Sequence, residues 1–143
     1  MSLFKVFDIA GSGMSAQSLR LNITASNIAN ADSASSSVNQ TYRAREPVFA
    51  AVLNSQDSAG FDSNPGQPGG VRVLGVVQSQ APLRKEYQPN NPLADKNGYV
   101  HLPNVNIVEE MANMIAASRS YQSNVEVVNA SKQMLLRTLA LGQ

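Results

Sequence analysis

The strongest constraint on this chain lies in its last third. Ile107, Met111, Met114, Ser118, Tyr121, Val125, Val128, Lys132, Leu135 and Leu139 follow one another at alternating four- and three-residue steps. Side chains at that spacing share one face of a helix. One row, Ile107, Met114, Tyr121, Val128 and Leu135, is apolar throughout, while the other is interrupted at Ser118 and Lys132. Sustained over five heptads, the pattern predicts a coiled-coil-like helix rather than an ordinary globular one. Pro103 and Asn104 precede it, Asn106 is placed to cap it, and Glu109 follows as in a capping box. Gly142 stands where a C-terminal cap glycine belongs. Residues 107–141 would span about 50 Å at the rise of an α-helix.

The N-terminal segment carries a weaker version of the same pattern. Phe7, Met14, Leu21 and Ile28 recur every seventh residue, with Leu3, Ala10 and Ala25 in partner positions. Gln17 and Thr24 break the second row. Gly11 and Gly13 fall inside the expected helix, Leu3 to about Ala31, each costing roughly 1 kcal/mol relative to Ala. The stretch RLNITASNIANADS, residues 20–33, flanks its apolar positions with amides and hydroxyls instead of the usual Glu and Lys. Short polar flanks let neighbouring helices approach closely and hydrogen-bond across the contact, so this helix is expected to be surrounded.

Between the helices the composition changes. SASSS at 33–37 and Asn39-Gln40 read as loop, and residues 55–70, rich in Gly, Pro, Ser and Asp, read as a flexible surface loop. Val71–Val77 reads as a strand and Leu83–Tyr87 as another. Asn97-Gly98 before Tyr99-Val100 signals a type I′ hairpin turn. The expected fold is α+β, mainly α. Long N- and C-terminal helices pair as an antiparallel coiled coil, with a small β-rich middle region. The expected segments are 1–31 and 104–143 for the helical assembly domain and 32–103 for the middle.

Little chemistry is offered. The net charge of +1 shows no footprint for nucleic acid, and the absence of cysteine removes disulfides and thiolate metal sites. Asp8 interrupts any apolar core of a secretory signal, so if the chain leaves the cytoplasm it is expected to do so without a cleaved signal. His101, the sole histidine, reads as an ordinary strand residue. Glu109 and Glu110 point apart on a helix and suit its N-terminal dipole. Met111, Met114 and Met134 read as packing residues. Three Asn-X-Ser/Thr triplets, at Asn22, Asn39 and Asn129, read as coincidence in an Asn/Ser-rich chain. No catalytic constellation, cofactor, metal site or small-molecule substrate is expected.

The last helix is nonetheless too apolar for one partner. Val127, Met134 and Leu141 form a second row, and Ile115 and Leu136 mark a third side. A helix apolar on several sides is buried by several neighbours, and this chain supplies only one other long helix. Self-association into a many-subunit assembly is the expectation. Its candidate interface comprises Phe7, Met14, Leu21, Ile28, Ile107, Met111, Met114, Tyr121, Val125, Val128, Met134, Leu135 and Leu139.

SGMSAQSLRLNITASNIANAD and the tract from NPLADKNGYVHLPNVN through ASRSYQ to the C-terminus closely resemble the two conserved-type ends of the flagellar basal-body rod family. The insertion SASSSVNQTYRAR, where most rod and hook relatives have a short Thr-Gly-Tyr stretch, is similar to its proximal-rod branch. The resemblance implies a structural subunit whose terminal helices stack into the inner tube of an axial shaft. It implies passage through the flagellar type III export apparatus and a periplasmic location in the basal body. The partners it implies are other copies, other rod proteins, and the rod–ring adaptor and membrane-ring proteins at the base. Other readings are a different rod or hook axial protein, a cytosolic helical adaptor or export chaperone, or a cell-wall hydrolase.

Overall fold

A computed structural model describes residues 3–53 and 68–141. In chain order the elements are α1 (Leu3–Ala29), β1 (Arg45–Leu53), β2 (Pro68–Gln78), β3 (Arg84–Tyr87), β4 (Tyr99–Leu102) and α2 (Ile107–Leu141). The two long helices pack against each other. β1 pairs with β2 and β3 with β4, in separate two-stranded sheets. The α+β, mainly helical expectation therefore holds, and α2 covers the range its periodicity predicts. β1 was not legible in the sequence; Pro47 within it weakens any strand reading.

Both helix ends near the middle region are fastened by asparagines. Asn106 Oδ1 accepts from the amides of Val108 and Glu109 at 3.2 and 3.5 Å, the cap expected at the start of α2. Glu109 is exposed and makes no return bond, so the reciprocal half of a capping box is missing. At the end of α1, Asn30 Nδ2 donates to the Ser26 carbonyl at 2.7 Å, a second bond to a carbonyl that also accepts from the Asn30 amide at 3.2 Å. The proposed cap at Gly142 lies outside the described residues, as do residues 55–67 of the expected loop.

The chain divides into two compact units. One comprises Arg20–Pro47 and Val76–Ala116. There Arg20 Nη2 reaches Asn113 Oδ1 at 3.0 Å and Asn27 Nδ2 reaches Glu110 Oε1 at 2.8 Å. Numbers rise along α1 as they fall along α2, so the helices run antiparallel. A small core of Ala31, Ala44 and Val105, with Tyr42 packed against it, lies in this unit. β3 and β4 pair antiparallel from Arg84 opposite Leu102 to Tyr87 opposite Tyr99, whose rings meet edge-on with centroids 5.2 Å apart. Ser35 exchanges both backbone hydrogen bonds with His101, at 2.9 and 3.0 Å, and so covers the other edge of β4.

The hairpin expectation needs correction. Eleven residues, 88–98, join β3 to β4, so Asn97-Gly98 is not a two-residue turn. Gly98 alone has positive φ, at 79°, whereas type I′ requires it at both central residues. Asp95 builds the turn instead: its Oδ1 accepts from the amides of Asn97 and Tyr99 at 2.8 and 2.9 Å. The Tyr99 amide is the largest influence holding the Asp95 carboxyl below its ordinary range. Burial opposes it, and Asn97, His101 and Lys85 add to the lowering.

The other unit comprises Met1–Leu19, Val48–Gly75 and Ala117–Gln143. Ala10, Ala16, Ala117 and Ser131 are its buried helix residues. Gly70, expected as part of a flexible loop, stands in β2 with φ of 131°. A Cβ there would lie 2.5 Å from Ser12 Oγ, the hydroxyl that accepts from the Val71 amide at 3.1 Å. At Gly11 a Cβ would meet nothing, whereas at Gly13 it would press Asn124 Nδ2 at 2.9 Å. The glycine pair in α1 is therefore not equivalent: Gly13 lets α2 come close, and Gly11 has no packing role. Gly11→Ala should raise stability by about 0.5–1 kcal/mol in urea melts, through helix propensity alone. Gly70→Ala should lower it by more than about 1 kcal/mol, because strain and collision add. Equal effects of the two substitutions would contradict the placement of β2 against Ser12.

Candidate assembly surface and the polar clasp beneath it

The residues that close the helix pair are, apart from Ile23, small or polar. Among the described residues, Ala10, Ala16, Ile23, Thr24 and Asn27 are buried on α1, and Ala117 and Ser131 on α2. Thr24 and Gln17, which look like interruptions in an apolar row, lie on the same helical face as Ala10 and Ala31. None of the thirteen candidate interface residues is buried. Phe7, Met14, Leu21, Ile28, Met114, Val125, Val128 and Leu135 are half-buried. Ile107, Met111, Tyr121, Met134 and Leu139 are exposed, Leu139 to 67% and Met134 to 51%. Met111 and Met134 have no covering partner among the described residues of the chain. Val108, Ile115, Val127 and Leu136, outside the candidate set, are exposed as well, Val108 to 76%.

Asn27 organises the contact in its unit. Its side chain is 1% exposed, and a buried amide must have both donors and its acceptor satisfied or lose stability. Nδ2 donates to Glu110 Oε1 at 2.8 Å and to the Arg45 carbonyl at 2.9 Å. Oδ1 accepts from the Tyr42 hydroxyl at 2.8 Å and from the Arg45 amide at 3.0 Å. One side chain thereby joins α1, α2, the first residue of β1 and the segment before it. The polar flanks of 20–33 are used within the chain at Thr24, Asn27 and Asn30, while Asn22, Ala25 and Ala29 face solvent. Thr24 Oγ1 donates to the Arg20 carbonyl at 2.8 Å, which hides its hydroxyl from the contact.

Glu110 is the partner that sequence reasoning passed over. Its neighbour Glu109 is exposed, but Glu110 turns inward to Asn27. Burial raises its carboxyl above the ordinary range; the Asn27 amide pulls it down, Glu109 and Glu46 push it up, and Arg20 pulls it down. Tyr42 and Arg45 carried no pattern that marks them either. Their only sequence clue is position, directly after a polar loop whose length returns the chain to α1. His101 is buried on β4 with Nε2 3.9 Å from Asp95 Oδ2, and its Nδ1 has no hydrogen-bond partner among the described residues. That is a histidine held in a hairpin, with no arrangement for acid–base work around it.

A family model for the flagella basal body rod protein matches residues 7–34, and one for the flagellar basal body rod FlgEFG protein C-terminal region matches 96–141. The matched segments are the two that build the helix pair. The flagellar basal-body rod protein FlgC of Salmonella typhimurium is 54% identical over 144 residues, covering 100% of both chains. That of Escherichia coli O6:H1 is 52% identical over 143 residues, again with 100% of both covered. That of Borreliella burgdorferi is 39% identical over 153 residues, covering 100% of this chain and 99% of the relative. The chain belongs to the FlgC family of flagellar basal-body rod proteins. FlgC relatives align from end to end, so the clasp and the exposed apolar faces both fall inside the shared region.

A charge that burial disfavours gives the clasp a pH dependence of known sign. With its native pKa raised, Glu110 binds its proton more tightly folded than unfolded, so its ionisation subtracts stability as pH rises through the acidic range. Glu110→Gln keeps an Oε1 acceptor for Asn27 and removes the charge. The variant should be at least as stable as the natural chain at neutral pH, its advantage shrinking to nothing in acid, in urea melts across that range. A variant clearly weaker at neutral pH would show that the charge itself stabilises the pair.

Proposed function

We propose that the chain is a structural subunit of the proximal rod, polymerising through its terminal helices into the axial shaft that transmits torque and encloses the export channel. One observation carries this reading. The residues fully buried between the helices are small or polar apart from Ile23, and many large apolar side chains, most of them on α2, are left exposed. Fully burying a Val, Leu, Ile, Phe or Met side chain contributes about 1.5–3 kcal/mol, so the ten large apolar side chains exposed on the two helices among the described residues represent a large unspent driving force for association. Apolar surface of that kind on a helix marks an interaction site.

In this reading the chain assembles with other copies and with other rod proteins, and at the base it meets the rod–ring adaptor and membrane-ring proteins. It reaches the periplasm through the flagellar type III export apparatus, without cleavage of a signal. The half-buried rows Phe7–Ile28 and Met114–Leu135 flank the polar seam, and neighbouring subunits complete their burial together with that of Met111, Met134 and Leu139. No catalytic role is assigned to any residue.

Met134 offers the cleanest test because its exposure separates assembly from folding. Met134→Lys should leave the thermal midpoint of the purified protein within the range of ordinary surface changes. In a cell lacking the natural copy, the variant should fail to enter isolated basal bodies and should abolish swimming. Normal incorporation of Met134→Lys would mean that this face has no partner in the rod.

A further inference from the structure

A cleft of about 310 Å³ opens beside the clasp, lined by Val38, Asn39, Thr41, Tyr42, Arg43, Arg45 and Gln78. Its lining holds two guanidinium groups and no carboxylate. Among the described residues neither arginine makes an ion pair. The Arg45 guanidinium lies 5.5 Å from the centre of the Tyr42 ring and donates no side-chain hydrogen bond among those residues. Arg43 uses Nη1 on the carbonyls of Ser79 and Ala81, at 3.2 and 3.4 Å, which fixes its position and leaves its remaining donors unused.

The buried amide of Asn27 fixes this platform. Asn27 Oδ1 holds both the Tyr42 hydroxyl and the Arg45 amide, so the ring and the arginine above it are set by the buried amide. An arginine stacked on an aromatic ring loses less freedom when it binds, because its planar fork is already oriented. A fork whose donors are unused among the described residues, in a cleft lined by no carboxylate, is complementary to a carboxylate, which it takes in two parallel hydrogen bonds. Asn39 and Gln78 add amide donors at the rim.

We propose that the Arg43–Arg45 cleft is the docking site for an aspartate or glutamate side chain carried by a neighbouring rod subunit. This inference rests on the reading of the chain as a rod subunit, to which it adds a polar contact that sets orientation. Apolar faces supply attraction with little directional content, whereas a bidentate pair fixes which surfaces meet and in what register.

Two arms test it. In the first, the purified protein is titrated with the acidic peptide acetyl-Gly-Glu-Asp-Gly-amide and with its Gln/Asn counterpart, followed by amide and guanidinium NMR shifts. Shifts should appear at residues 38–45 and 78 with the acidic peptide only, and Arg45→Gln should remove them. Shifts of equal size with both peptides, or none with either, overturn the assignment. In the second, Arg45→Glu and Arg45→Lys are expressed in cells lacking the natural copy, beside the natural chain, and basal bodies are isolated. Arg45→Glu should reduce incorporation about tenfold or more, as reversal at a desolvated pair does, with Arg45→Lys intermediate and thermal midpoints unchanged. Arg45→Glu incorporating like the natural chain overturns the cleft's role while leaving the rod reading intact. Absence of the natural chain itself from basal bodies would instead overturn the rod reading.

Discussion

The amide of Asn27 is the constraint on which the rest depends. Four hydrogen bonds converge on one buried side chain, and no other residue type supplies two donors and two acceptor sites in so small a volume. Aspartate lacks the donors that Glu110 and the Arg45 carbonyl need. Leucine, of similar size, would leave the Arg45 amide, the Tyr42 hydroxyl and the Glu110 carboxylate without their Asn27 partner, at about 1–3 kcal/mol for each that stays buried. The small core of Ala31, Ala44 and Val105 buries too little surface to hold α1, α2 and β1 together by hydrophobic contact alone. Hydrogen bonding sets their relation, and apolar packing fills in around it.

A division of labour follows. Small side chains at Ala10, Ala16 and Ala117 bring the helices close, and Gly13 makes room for Asn124. A pair closed in this way has little use for Met, Leu and Val at its seam. Those side chains are consequently turned outward on α2, and a second apolar surface becomes available without enlarging the chain. The same economy explains the cleft beside the clasp: the side chains that order Tyr42 and Arg45 also present them.

How much of this was legible depended on which side chains did the work. α2 was read to its residue limits because its apolar residues repeat without a break in period, and period survives whatever covers it. The large apolar rows read from the sequence lie largely half-buried beside the seam, and the residues buried at its centre are mostly small or polar, which a hydrophobic pattern does not mark. Gln17 and Thr24 looked like defects for that reason, although they share the inward face. Asn27 and Glu110 were visible only as an Asn-rich flank and a first-turn acid, because a hydrogen bond between residues 83 positions apart leaves no local period. The turn before β4 was misread because Asn97-Gly98 is a strong signal by itself, and the controlling Asp95 acts from two residues away. β1 was missed because Pro47 and two alanines blur its alternation.

Hydrogen exchange at one amide tests the central claim most directly. The Arg45 N–H donates to Asn27 Oδ1 at 3.0 Å, so its exchange reports whether the clasp is closed. In Asn27→Ala the Arg45 amide should exchange far faster than in the natural chain, while the amides of Glu86 and Val100, in the β3–β4 pair, change little. Equilibrium stability should fall by about 2–4 kcal/mol as the stranded partners lose their bonds. An Arg45 amide that exchanges as slowly in Asn27→Ala as in the natural chain would show that the helices and β1 are held by something other than this buried amide.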